Sequence, residues 1–281
     1  MPTGETLGIS TGSNQPNPVR QRSPSAGPAA NDSADAPPPA TWLEAEPGDV
    51  AGQLALDEAL LEEAHEGVRT DTVVRTWMAA GHAVVLGSSS RAADELDLEA
   101  CAAHGVRVLR RPSGGLSVVL GPGCLMWSVV THHPAGPPAI DALHAAMLDP
   151  LAAALRAAGR DVVRRGSSDL AIGTGADALK VSGNALRVRR HGVLYHGTLL
   201  DAFDLDLIAR VLRHPPREPD YRAGRSHTAF VTNLGLGTAR LTSAVRAAFG
   251  ASRTETAWPR DRVARLVGER YGDRTWTHRL P

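Results

Sequence analysis

The chain has 281 residues, 42% of them hydrophobic, enough to bury a core in one large domain or two small ones. Its formal net charge of +0 excludes the strongly basic field of a nucleic-acid binder or of a protein held electrostatically on a membrane. Two cysteines, Cys101 and Cys124, without a C-x-x-C spacing argue against a disulfide scaffold and make the cytoplasm the expected compartment, and neither a membrane span nor a secretory signal is expected.

Residues 1 to about 40 are Pro, Ser, Asn, Gly and Ala with almost no large apolar side chains. Such a segment cannot bury enough surface to offset its ordering entropy, which predicts a disordered tail ending at Pro37-Pro38-Pro39. Folded structure is expected from near Trp42. Leu54, Leu56, Leu60 and Leu61 predict an amphipathic helix over 50–64. Two β-rich runs, 72–77 and 83–86, flank Ala80-Gly81-His82 and predict a hairpin. A helix is expected over 92–103, ended by Gly105, then strands over 106–109 and 116–120 around Arg110-Arg111-Pro112-Ser113-Gly114-Gly115. Residues 124–131 read as a strand buried on both faces, and 140–158 as a long Ala/Leu helix. Short strands follow at 162–165, 170–172, 179–181, 185–188 and 193–199, then helices at 205–212, 241–249 and 260–271. Strand pairs mixed with flanking helices predict an α+β fold with a mainly antiparallel or mixed sheet.

Four segments stand out chemically. The paired glycines of Arg110-Arg111-Pro112-Ser113-Gly114-Gly115 mark a structural turn or a place where a ligand meets the backbone, with arginines able to grip phosphate or carboxylate. Lysine occurs once, at Lys180 in Lys180-Val181-Ser182-Gly183-Asn184-Ala185; arginine supplies every other member of the 30 Lys+Arg. An ammonium is a compact point charge on a flexible stem, suited to a carboxylate or phosphate that changes geometry during a reaction. Strand alternation puts Lys180 and Ser182 on one face, and Ser168-Asp169-Leu170 supplies a carboxylate near them in sequence. His196 in Tyr195-His196-Gly197-Thr198-Leu199-Leu200 is either a structural histidine or part of a site. The Arg-rich loop around Pro219-Asp220-Tyr221-Arg222, with Gly224 as a hinge, is either a lid or a connector.

Taken together and in order, these segments resemble the lipoate–protein ligase branch of the biotin/lipoate ligase catalytic-domain family. The family pattern runs Arg-Arg-x-Ser-Gly-Gly-Gly, Asn-Asp-Ile/Leu, Lys-x-Ser-Gly-x-Ala and His-His-Gly-Thr-Leu-Leu, and the likeness covers about residues 42 to 250. Ala55-Leu56-Asp57-Glu58-Ala59-Leu60 and Val85-Leu86-Gly87-Ser88 also look like this family. The resemblance implies a class II-synthetase-like catalytic domain over 42–250, with 251–281 as a helical extension. It implies activation of lipoate or octanoate by ATP and Mg²⁺ as an acyl-adenylate, then transfer to a lysine of a lipoyl-carrier domain. The carriers would be 2-oxoacid dehydrogenase E2 subunits or the glycine-cleavage H protein, with no nucleic acid or membrane as partner. Lys180 and Asp169 would be catalytic, Asp169 also being a candidate Mg²⁺ ligand. Arg110, Arg111, Ser113, Gly114, Gly115, Leu116, Ser182, Gly183, Ala185, His196, Gly197 and Thr198 would bind substrate and ATP.

The sequence departs from the family pattern at Leu116 for the third glycine, Ser168 for Asn, Tyr195 for the first His, and Ser88 for an Arg. Those departures, and the lack of room for a C-terminal accessory domain, leave open a need for a separate small accessory protein. The alternatives are an octanoyl or lipoyl transferase fed by a carrier thioester, a non-catalytic binder of lipoyl domains and, more distantly, a biotin ligase. The thioenzyme route needs a cysteine beside the lysine, and neither family position for it holds one.

Overall fold

The structure is a computed structural model that describes residues 40–280, so all but the last residue of the expected 1–40 tail lies outside it. An eight-stranded sheet forms the centre. Its strands, in chain order, are β1 (Thr41–Leu43), β2 (Val73–Met78), β6 (Cys124–His132), β7 (Val162–Arg165), β8 (Asp169–Ile172), β9 (Leu179–Val188), β10 (Gly192–Leu200) and β11 (Arg253–Glu255). They lie in the order β11-β1-β2-β6-β10-β9-β8-β7, with β1 parallel to β11 and β2 and every other pairing antiparallel. A second sheet, β4-β3-β5, joins β3 (Ala83–Leu86) to β4 (Arg107–Arg110) and β5 (Val118–Leu120). The fold is thus α+β with a mixed, chiefly antiparallel main sheet.

Alternation along the central strands divides the molecule. Val74, Leu125, Trp127, Val129, Tyr195, Leu199 and Val181 face one side, where helices α4 (Ile140–Ala157) and α7 (Thr238–Ala248) cover them with Leu148, Leu151, Leu155, Leu241 and Val245. Trp127 is fully buried there, stacked between Tyr195 and Phe249 with both ring centroids at 5.6 Å. Val73, Trp77, Met126, Val130, Leu194 and Leu200 face the other side, toward α1 (Val50–Glu66) and the small sheet. The polar residues of that second side are Arg75, Ser128, His196 and Thr198, the alternate positions of the same strands, and all four are buried. Apolar neighbours hold them in fixed places, and polar side chains buried there must find partners.

Helix α1 starts where Asp49 accepts from the Ala51 and Gly52 amides at 3.1 and 3.2 Å, and ends on Gly67 in the left-handed conformation at φ 72°. It is buried almost all round rather than on one stripe as expected, because the helix α8 (Arg260–Leu266) and the following π turn Val267–Tyr271 cover its outer face. Asp57 and Glu58 are therefore both interior, at 2% exposure each.

Several expected elements differ. The runs at 72–77 and 83–86 do not form a hairpin, since β2 pairs with β1 and β6 while β3 pairs with β4 and β5. All four residues of β3 are buried, so no polar face signals which neighbour it takes. The strands around the Gly-Gly turn likewise flank β3 rather than each other. The helix over 92–103 breaks into α2 (Ala92–Glu95) and α3 (Leu98–Ala103), because Leu96 bridges Leu212 and Asp97 caps the second piece. The pieces 179–181 and 185–188 are one strand, β9. The last long helix ends at Leu266 and continues as a π turn. The remaining helices are α5 (Leu205–Val211), α6 (His227–Phe230) and α9 (Arg274–Thr277). Among the described residues no helix is long and apolar enough to cross a membrane.

Candidate functional site

A cleft of about 380 Å³ opens between the main sheet, the small sheet and α1. One end is apolar, walled by Leu54, Trp77, Val85, Leu120 and Met126; the other holds Lys180, Asp169 and Ser168. From β2, which carries Trp77, to β9, which carries Lys180, the sheet order counts three strand spacings, about 14 Å at ~4.8 Å per spacing. A second cavity of about 160 Å³ adjoins it; Leu116, Lys180, Gly183, Thr198 and Arg217 are among the residues that line both. Leu200, Ile208, Phe230 and Val231 give the second cavity apolar surface, and Arg213, Arg217 and Arg222 give it positive charge.

The turn between β4 and β5 rims both cavities, and Arg111 shapes it. Arg111 is buried, and four of its N–H donors are engaged inside the protein: Nε on Ser113 Oγ at 2.9 Å, Nη1 on Val85 O at 3.0 Å, and Nη2 on Gly114 O and Leu116 O at 2.6 and 2.9 Å. Burial pushes its guanidinium down to about 10, still a cation at neutral pH. Gly115 takes φ +85°, and a Cβ there would stand 3.0 Å from Arg111 Nη2. Gly115→Ala therefore costs about 1–2 kcal/mol in backbone conformation alone. If it moves the turn by about 1 Å, it lowers turnover by about 10²-fold, read as kcat/KM beside a thermal melt.

The turn is tied inward by a buried chain of hydrogen bonds. Ser113 Oγ lies 2.6 Å from His196 Nε2, His196 Nδ1 lies 3.2 Å from Asp57 Oδ2, and Asp57 Oδ1 takes Ser128 Oγ–H at 2.8 Å and Arg75 Nη1–H at 2.5 Å. The arrangement in which every group is satisfied has His196 Nδ1–H donating to Asp57, Ser113 O–H donating to Nε2, and Arg111 Nε–H donating to Ser113. Burial pushes the Asp57 carboxyl up, but Arg75 and the His196 bond outweigh it and hold the group below its ordinary value. Asp57 thus acts from α1, through His196 and Ser113, on the shape of the turn.

At the polar end, Lys180 Nζ lies 2.8 Å from Asp169 Oδ1, and the Tyr221 hydroxyl donates to Asp169 Oδ2 at 2.9 Å. The Lys180 side chain is 27% exposed, so the ammonium sits at the cleft mouth rather than in bulk water. Its stem passes over Gly183, where a Cβ would meet Cε and Nζ at 3.0 Å. Thr232 N–H donates to Lys180 O at 2.9 Å and Arg225 Nη2 to Ala178 O at 2.9 Å, so the Arg-rich loop is docked along β9. Burial, then the Asp169 carboxylate, push the Tyr221 hydroxyl far above its ordinary range, and it remains a donor.

Of the residues singled out in the sequence, Arg111, Gly115, Leu116, Asp169, Lys180, Gly183, Ala185, His196, Gly197 and Thr198 meet in the cleft. Ser182 lines the adjoining cavity. Ser113 is buried behind the turn, and Gly114 contributes its carbonyl to Arg111. Arg110 does not reach the cleft; its guanidinium points the other way, onto backbone carbonyls of residues 87–90 and 277–280. Two departures fall in different places: Tyr195 lies outside the cleft, and Ser168 lines it. Tyr195 faces the α4 side, its hydroxyl 2.8 Å from His144 Nδ1. Ser168 offers its carbonyl, not its side chain, to Asn184 Nδ2 at 2.8 Å. Asp57 and Tyr221 were not among the candidate site residues. A carboxylate inside an Ala/Leu helix was the available signal for Asp57; nothing in sequence pairs Tyr221 with Asp169 across 52 positions.

The cleft thus joins an apolar end to the ammonium of Lys180. The chain belongs to the lipoyl protein ligase A/B catalytic-domain family, whose model matches residues 49–244. It is 32% identical over 160 residues to the putative lipoate-protein ligase A of Aeropyrum pernix, an alignment covering 57% of this chain and 56% of that protein. Its fold is similar to the bi-partite lipoate protein ligase of Thermoplasma acidophilum, studied with its E2 lipoyl domain, at TM-score 0.74 and 23% identity over 86% of this chain and 97% of that one. A lipoate-protein ligase A bound with ATP is similar at TM-score 0.73 and 22% identity, covering 86% of this chain and all of the other.

Proposed function

We propose that the protein is a lipoate–protein ligase: it joins lipoate or octanoate to ATP as an acyl-adenylate and passes the acyl group to a lysine of a lipoyl-carrier domain. The observation that carries this reading is Lys180 Nζ at the junction of an apolar cleft and a positively charged second cavity. The acyl chain lies in the apolar end, its carboxyl beside Lys180, and the nucleotide occupies the second cavity. A carboxylate oxygen attacks the α-phosphorus and pyrophosphate leaves. The acceptor amine then attacks the acyl carbon, loses a proton, and AMP leaves. Lys180 offsets negative charge at the α-phosphate and carbonyl oxygen as it develops, the arrangement in which fixed donors contribute most to a rate.

Magnesium fits as an ion brought in on the nucleotide. Among the described residues no group of three or more His, Cys, Asp or Glu could hold a metal, whereas Mg²⁺ commonly needs only one or two carboxylates beside substrate phosphates. Asp169 and Glu218 are the cleft carboxylates at the Lys180 end. When bound, the ion would neutralise phosphate charge; Asp169 also orients Lys180.

The thioester route lacks support in the cysteines. Cys124 is fully buried with its thiol pushed up to about 12, burial also raises Cys101, and neither lines the cleft. The likeness to a bi-partite ligase is the ground for testing an accessory protein as well. The test is to incubate the chain with an apo lipoyl domain and either lipoate or octanoate with Mg-ATP, or octanoyl-carrier protein, and to weigh the lipoyl domain. Acylation dependent on ATP is the expected result. Acylation from the thioester alone would assign a transferase, and lipoyl-domain binding with neither would assign a binder.

A further inference from the structure

The catalytic turn is held from behind as well as from inside. Arg110 is fully buried, yet among the described residues no carboxylate lies within ion-pair distance of it. Among the described residues its hydrogen bonds all go to backbone carbonyls. Nη1 donates to Gly87 O at 2.8 Å and Ser90 O at 2.7 Å; Nε donates to Thr277 O at 2.9 Å and Nη2 to Leu280 O at 3.5 Å. Two of these carbonyls belong to the loop after β3, and two to the C-terminal segment more than 160 residues away in sequence.

The same segment grips the turn at other points. Trp276 Nε1 donates to the Arg110 carbonyl at 3.2 Å, and Arg279 Nη2 donates to Ser88 O at 2.5 Å. The Trp276 ring is covered by the Arg279 and Arg270 guanidinium groups at 3.9 and 5.1 Å from its centroid. The loop that it holds is itself bonded to the turn: Ser88 N–H donates to Ser113 O at 2.8 Å and Ser90 Oγ to Gly115 O at 3.3 Å. A continuous path therefore runs from residues 276–280 through Arg110 and Ser88 to Ser113 and Gly115.

We propose that residues 274–280 are a strap that fixes the catalytic turn, with Arg110 and Trp276 as its positioning residues. A buried guanidinium cannot leave its donors unmet. Without the carbonyls of Thr277 and Leu280, Nε and Nη2 of Arg110 must turn toward water. That motion pulls on the backbone that Arg111 continues, and with it on the Gly115 and Leu116 backbone that rims the cleft. The strap lines neither cavity, so it acts on the cleft through the elements that it holds.

The inference rests on the ligase reading for its kinetic effect but not for its structural one, and the test separates the two. A chain ending at Asp273 keeps α8, the π turn and the Tyr271 hydroxyl bond to Glu58, and loses the packing of α9 on that turn. Its kcat for ATP-dependent acylation is expected to fall by about 10²-fold, the cost of a small misplacement far from the chemistry. Amide hydrogen exchange over residues 113–118 is expected to speed up while the strands of the main sheet stay protected. Addition of the free 274–280 peptide is expected to restore part of both. If that chain does not fold, Trp276→Ala, which removes one donor and leaves Arg110 in place, is read the same way, with Trp276→His as the conservative rescue. Unchanged exchange over 113–118 with unchanged kcat overturns the strap. If the intact chain itself acylates nothing, the ligase reading fails, and the exchange comparison alone still decides whether the strap holds the turn.

Discussion

Lys180→Arg is expected to lower ATP-dependent acyl transfer by about 10²–10³-fold without changing the thermal midpoint, the loss typical of removing one preorganised charge contact. Arginine keeps the charge, so the effect isolates shape. Nζ reaches Asp169 Oδ1 at 2.8 Å by crossing Gly183 with so little clearance that a single Cβ would stand 3.0 Å away. A planar guanidinium on a stem of similar length does not fit that passage and presents its donors as a rigid fork rather than a rotating ammonium. With lysine absent everywhere else in the chain, no neighbouring ammonium can substitute. The measurement is kcat/KM by mass of the acylated lipoyl domain, beside a melting curve. Turnover within a few-fold of the unaltered protein would remove Lys180 from the mechanism.

Arg75→Met is expected to produce the largest loss of stability, about 3–5 kcal/mol at neutral pH, because it strands a buried carboxylate. The Arg75 and Asp57 side chains are 2% and 3% exposed, and their ion pair is 2.5 Å long. Ser128 and His196 remain as partners in the variant but cannot replace the guanidinium. The pH dependence follows from the direction of the shift. Asp57 is held below its ordinary value when folded, so its contribution is present above the unfolded carboxylate pKa, ~3.9, and is lost as pH falls through the lower folded value. In Arg75→Met burial dominates and the sign reverses: the variant gains stability relative to the unaltered protein as acid protonates Asp57. Urea unfolding at neutral and mildly acid pH reads both effects. The double variant Arg75→Met with Asp57→Leu is expected to recover only part of the loss: no carboxylate is left without its counter-charge, but the buried His196 Nδ1–H and Ser128 hydroxyl lose their acceptor. A neutral-pH loss below ~1 kcal/mol for the single variant would show that the pair does not organise the core.

What the sequence shows and hides follows from the range of each interaction. The helix at 50–64 and the buried strand at 124–131 were legible from their own composition, although the helix is buried on all sides and not on the one face that its leucines predicted. The chemistry of the four motifs was legible because each is a run of adjacent residues, and Lys180 was conspicuous as the sole lysine. The partners of β2 and β3 were not legible, since a short, wholly buried strand carries no facing signal. Nor was the difference between two adjacent arginines. Arg110 and Arg111 look alike in sequence, but consecutive positions on β4 and its end send one to the C-terminal segment and the other to the cleft turn. Arg253–Glu255, an edge strand of polar residues, and the contact of Tyr221 with Asp169 arise only from tertiary packing.

The most direct test is a crystal structure with a non-hydrolysable octanoyl- or lipoyl-sulfamoyl adenosine. The account predicts the sulfamoyl group within hydrogen-bond distance of Lys180 Nζ and of the backbone N–H of Gly115 or Leu116, with the acyl chain running toward Trp77 and Leu54. Binding with that group away from Lys180, or no binding at millimolar analogue, would contradict it.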